Sequence, residues 1–289
     1  PCIYQARPKL LAMPLGGKRV SLRSRRPPHL PFLIGTPTFA PDLNPIPVSE
    51  WLSPDREAET WLRDKNLILK MMRANVVGGD LNGAAAEELL ALMVKELGAV
   101  PDQSMPTALE EAASLVSDDL CLLSSARPHD WRLVAGVLCA PTFWTLPERI
   151  GLDLAALHGP VPGGDPALAA RIGRIFSGLE PDTVLERFNW TVQASDKRYT
   201  PDRPLVSGKA ETDLHLRVER QTLRKLPQTN SVVFSIRVSV DPLLPILADD
   251  RAREAFEDAW LGAPERVRRY KHWDEIETLV ASACRSCGR

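Results

Sequence analysis

The chain has 289 residues, 44% hydrophobic and 25% charged, with 36 basic residues against 37 acidic ones and a net charge of −1. So even a balance gives no global electrostatic case for nucleic acid or an anionic membrane, and neither is expected as a partner. The longest uninterrupted apolar stretch, Leu133 to Ala140, is far shorter than the roughly 18 residues a membrane-spanning helix requires.

Residues 1–47 form a distinct opening segment. They hold ten of the 26 prolines, and residues 1–26 carry seven Lys or Arg with no Asp or Glu. An extended, Pro-rich basic arm is the expectation, with an organelle-targeting leader as the alternative. A domain over 48–289 follows. It opens with a helical cap (48–117), beginning where Ser53-Pro54 supplies a cap and a first-turn proline. A second helix is expected near Ala85 to Leu97, after the breaker Gly78-Gly79, and a third at Thr107, where Thr107 and Glu110 have capping-box spacing.

Strands begin after the cap. Asp118 to Ser124 and Trp131 to Ala140 read as a hairpin. An excursion follows, with a short helix around Pro147 to Leu157, the loop HGPVPGGD, and an amphipathic helix from Pro166 to Leu179. Three more strands are expected over Val184 to Ala194, Asp213 to Leu223 and Ser231 to Val240. Helices at 250–261 and 273–283 fill a C-terminal helical segment (245–283). The fold class is therefore α+β: a five-stranded antiparallel sheet of PAS-like connectivity, with the excursion folded over one face and a cavity between them.

Several familiar chemistries lose ground. The chain has no G-x-x-x-x-G-K-[ST], no G-x-G-x-x-G after a strand, no H-E-x-x-H and no G-x-S-x-G. Five scattered cysteines fit reduced thiols in an intracellular, cytoplasmic setting. The Cys284/Cys287 pair near the C-terminus, a C-x-x-C, reads as two thiols on a mobile tail, with a zinc or redox site as the alternative.

Three constellations could carry chemistry. His158 ends a helical turn ahead of a Pro-Gly loop; it either satisfies helix-end carbonyls or presents an imidazole to a metal or haem. In RFNWTVQ, Phe188, Trp190 and Val192 share one strand face and Asn189, Thr191 and Gln193 the other. Trp190 is then a core or pocket-wall residue, and Asn189 a donor to a ligand or a neighbouring loop. The stretch LHLRVERQTLRKLP (214–227) alternates apolar and charged residues. It is an edge strand with a polar face in water, an ion-pair ladder, or the wall of a charged-ligand site. Arginines there suit carboxylates, and Glu219 could steady an arginine, donate a proton or pair with a cationic amine.

Taken together, HGPVPG (158–163), FNW (188–190), LRVERQTLRKLP (216–227) and VVFSIRV (232–238), over roughly Pro41 to Leu244, resemble the haem-dependent oxidative N-demethylase family. The resemblance implies a PAS-fold protein that binds haem b in its ligand cavity and uses O2 to demethylate a small secondary amine. Formaldehyde would be released, with electrons from NADPH through flavin and iron–sulfur groups on a partner reductase. It implies His158 as the iron ligand. Arg217, Arg220 and Arg224 become candidates for cofactor anchoring, Asn189 and Trp190 for the cofactor pocket, and Glu219 and Arg220 for catalysis. Where the family has a Phe-Pro-Ser-type segment this chain reads CAPTFW (139–144), so the resemblance does not extend to the distal-pocket shape or to the choice of amine. A non-catalytic PAS-type haem or small-ligand sensor is the rival reading, and a cofactor-free interaction module a third.

Overall fold

The computed structural model describes residues 29–34, 43–54, 56–101, 103–127 and 130–288. Most of the basic arm, and with it the targeting expectation, lies outside them, as does His129. Helix α1 (Ala58–Val76) buries Trp61, Lys65 and Leu69. It starts later than the Ser53-Pro54 cue: Glu57 is its N-cap, and no side chain caps it. Helix α2 (Ala84–Leu97) ends at Gly98, whose φ of 60° makes the left-handed C-cap that glycine favours. Helix α3 (Ala108–Ser114) is opened by Thr107, whose hydroxyl accepts from the Glu110 backbone N–H. The reciprocal half of the capping box is replaced, since the Glu110 carboxylate accepts from the Thr107 hydroxyl and from Arg73.

All five expected strands form, as β3 (Asp119–Ser125), β4 (Trp131–Val137), β5 (Val184–Gln193), β6 (His215–Lys225) and β7 (Val232–Pro242). Two short strands, β1 (Asn44–Ile46) and β2 (Val77–Gly79), extend the sheet to seven among the described residues, in the antiparallel order β1-β5-β6-β7-β3-β4-β2. The expectation of five is corrected. Three-residue strands built from Asn-Pro-Ile and Val-Gly-Gly show no alternation for a sequence pattern to register. Gly79 is required there: its φ is 89°, and a Cβ would meet the Val134 carbonyl oxygen at 2.0 Å. Strand β6 is no water-facing edge either, because β5 and β7 flank it along its length.

Between β4 and β5 lie α4 (Leu154–His158) and α5 (Pro166–Gly178). Asp153 and Asp165 start them by accepting from Ala156 N and Leu168 N, which makes α4 shorter than the helix expected from Pro147. After β7 come α6 (Leu243–Leu247), α7 (Asp250–Leu261), α8 (Glu265–Lys271) and α9 (Glu277–Cys287). Helices α6 and α8 add to the two C-terminal helices expected, and Trp273–Glu275 is a 3-10 turn rather than the start of the last helix. Cys284 and Cys287 sit one turn apart on α9, not on a mobile tail, and remain unpaired thiols. One apolar core joins α1–α3 to the sheet. A second gathers Phe32, Trp190, Phe256, Trp260 and Trp273 with α6–α9. Among the described residues no helix is long and apolar enough to cross a membrane.

Candidate functional site

The period-two alternation of β5 and β6 sorts their side chains between two environments. Arg187, Asn189 and Thr191 of β5, with Glu219, Gln221 and Leu223 of β6, line a cavity of about 600 Å³, a size typical of small-ligand pockets. Leu223 pairs with Phe234 of β7, and Cys121 of β3 pairs with Phe234 from the other side, so this end of the floor is apolar. Helices α4 and α5 supply the opposite wall through Leu154, Leu157, Leu168, Ile172 and Phe176. Towards Glu219 the lining turns polar, with Thr142, Arg149, Arg203, Tyr270, Lys271 and His272.

His158 sits on the helical wall, at the end of α4. Its Nδ1 lies 2.8 Å from the Leu154 carbonyl oxygen. A carbonyl only accepts, so Nδ1 carries the proton and Nε2 keeps its lone pair. Burial holds the imidazole below its usual pKa; the Leu154 bond opposes this and Arg187 adds to it. A neutral imidazole oriented through its other nitrogen is what an axial haem ligand requires. The helix-end reading and the ligand reading of His158 are thus compatible.

Among the described residues, Glu219 is the one carboxylate that lines the cavity. It accepts from the Thr142 hydroxyl, from Asn189 Nδ2 at 3.2 Å and from Gln221 Nε2 at 2.7 Å. Asn189 Oδ1 in turn accepts from Lys271 Nζ at 2.8 Å, and the same ammonium donates to the Trp190 carbonyl. Burial pushes Lys271 down to about 7, with Glu219 pulling it up and Arg187 reinforcing the drop.

Four residues expected at the site lie elsewhere. Arg217 shares the cavity face of β6 but does not line the cavity; its fully buried guanidinium donates to Ala140 O at 2.6 Å, Pro141 O at 3.0 Å and Arg198 O at 3.1 Å. Arg220 and Arg224 fall on the opposite face. Arg220 donates to Trp51 O at 3.0 Å and Glu50 O at 2.7 Å and pairs with Glu186. Arg224 makes a two-pronged bond to Glu96 at 2.6 and 2.7 Å and lies over the Trp51 ring, tying cap to sheet. Trp190 also faces away, with its ring centroid 5.1 Å from that of Trp273. His158, Asn189 and Glu219 do line the cavity.

Arg149, Arg187, Arg203 and Lys271 are the cations that line the cavity in place of the expected arginines. Lys271 lies 82 residues from Asn189 in sequence, within RRYKHW, a stretch whose crowding of Tyr, Lys and His was its only signal.

An apolar slot with one oriented imidazole on its wall and several cations beside it suits a flat apolar cofactor bearing carboxylates. No group of three metal-ligating side chains occurs among the described residues, which leaves a haem held through a single histidine compatible with the donor set. A family model described as "Haem-dependent oxidative N-demethylase, alpha subunit-like" matches residues 98–281. The match starts later than the resemblance traced from Pro41 and runs past Leu244 to take in α6, α7 and α8 with Lys271. It covers well over half of the chain, which belongs to the haem-dependent oxidative N-demethylase alpha subunit-like family.

Proposed function

We propose that the chain is the haem-binding component of an oxidative N-demethylase acting on a small secondary amine. Residues 48–289 would form one haem-binding unit, with β5-β6-β7-β3-β4 as its PAS-like core. The observation that carries this reading is His158: it lines the cavity with Nδ1 committed to Leu154, leaving Nε2 to hold the iron of haem b. Arg149, Arg187 and Arg203 are the lining cations suited to the haem carboxylates.

Haem, when bound, supplies the redox chemistry that oxidises an N-methyl group at the expense of O2 and two electrons. For dimethylamine the balance is (CH3)2NH + O2 + 2e⁻ + 2H⁺ → CH3NH2 + HCHO + H2O. The chain's own residues bind and orient. Glu219, fixed by Thr142, Asn189 and Gln221, accepts the substrate N–H and places the amine opposite the His158 wall. The apolar lining from α4, α5 and β7 keeps water from the methyl group. Electrons would come from NADPH through flavin and iron–sulfur groups on a partner reductase; the family's "alpha subunit-like" description supports assembly with other subunits.

The test is formaldehyde release from dimethylamine by haem-loaded protein supplied with NADPH and a reductase. Stoichiometric formaldehyde and methylamine are expected. Haem binding without amine turnover, under every electron donor tried, would favour the sensor reading instead.

A further inference from the structure

Lys271 closes α8 with its ammonium against the cavity, and Asn189 separates it from Glu219. The orientation of that amide is dictated by its partners: its oxygen must face the ammonium and its nitrogen the carboxylate. Asn189 and Glu219 are also direct register partners on β5 and β6, so the spacing between cation and anion is built into the sheet. The donors that meet Glu219 through Thr142, Asn189 and Gln221 are all neutral. The other ionisable groups facing this region are Arg187 from β5, Arg149 and Arg203 from loops, Tyr270 and His272 beside Lys271 itself, and Arg217, which reaches Glu219 through Thr142. A second cation entering here meets several positive groups and one carboxylate.

We propose that a protonated amine and the Lys271 ammonium compete for Glu219, so that binding the amine expels one proton from Lys271 to solvent. This rests on the reading of Glu219 as the amine-binding carboxylate. Two cations in a water-poor site repel strongly, and the one that can shed charge most readily does so. Burial already holds Lys271 near neutrality, at about 7, whereas a dialkylammonium in the cavity gains the Glu219 carboxylate directly. In the exchange one Nζ–H bond breaks, its electron pair stays on Nζ, and the proton leaves. The neutral amine keeps two N–H donors, which can still serve Asn189 Oδ1 and the Trp190 carbonyl. Substrate binding thereby generates an uncharged base beside the amine.

The experiment is calorimetric titration of haem-loaded protein with dimethylammonium chloride between pH 6 and 8.5, in buffers of differing ionisation enthalpy. For the wild type, close to one proton is expected to be released per amine at pH 6 and almost none above pH 8. The Kd should fall about tenfold per pH unit below pH 7 and then level off. K271M should bind the amine with no proton release and a flat pH profile, whereas K271R, charged throughout, should bind weakly at every pH. Wild-type binding without proton release, or a pH profile unchanged in K271M, overturns the proposal while leaving Glu219 as the amine site. Amine binding undiminished in E219Q overturns the Glu219 reading and the proposal together.

Discussion

Arg217 and Glu219, two residues apart on one face of β6, meet through a single hydroxyl. Arg217 Nε donates to Thr142 Oγ1 at 2.7 Å, and that hydroxyl donates to Glu219. The arginine engages one lone pair of the Thr142 oxygen, and because a carboxylate only accepts, the hydroxyl proton is directed at Glu219. Arg217 also holds the carbonyls of Ala140 and Pro141, which fixes the CAPTFW segment against the sheet. It is therefore a positioning residue for the cavity wall.

Replacing Arg217 by Met should leave those buried carbonyls without donors and lower stability by about 3 kcal/mol. The midpoint of chemical denaturation checks this. Carboxylate anchoring alone would instead weaken haem retention with little change in that midpoint.

The lining cations should act on haem retention. Removing one partly exposed charge partner is worth about 1 kcal/mol, so R149Q and R203Q should each speed haem transfer to a scavenging globin about fivefold. R132Q, whose exposed side chain pairs with Asp130, is the control and should leave the rate unchanged.

Burial of Lys271 predicts a particular slope of stability with pH. Its folded-state pKa of about 7 lies below the ordinary lysine value of 10.5. Between those values the unfolded chain binds the proton and the folded chain does not, so rising pH favours folding. The burial penalty is present in full below pH 7 and is lost as pH climbs towards 10.5. Denaturation of wild type and K271M should therefore give a stability difference that moves in favour of wild type by about 1.4 kcal/mol per unit between pH 7.5 and 9.5. A constant difference would mean that Lys271 titrates normally in the fold.

Much of this architecture is legible in the chain itself. The alternation in RFNWTVQ correctly separates Asn189 from Trp190, because in a strand residue parity alone decides the face. The helix expected from Pro166 forms as α5, capped by Asp165, whereas the start expected at Pro147 passes over Asp153, the residue that caps α4. Parity cannot say which face meets a cavity, and so Arg220 and Arg224 looked like ligand-binding residues when they clamp the cap through Trp51, Glu50 and Glu96. Nor can it say where a long side chain ends: Arg217 has the cavity face and pairs with Thr191, which lines the cavity, yet its guanidinium reaches the Ala140 and Pro141 carbonyls instead. The contribution of Lys271 comes through tertiary packing, from a helix whose short span and charged sequence mark it as surface.

Whether His158 holds the haem iron is tested most directly by the absorption spectrum of haem-titrated protein. Wild type should bind one haem per chain with a sharp Soret band. H158A, a change at the end of a five-residue helix, should keep its fold but lose or shift that band, with added imidazole restoring it. A Soret band in H158A identical to that of wild type in position and intensity would contradict the assignment.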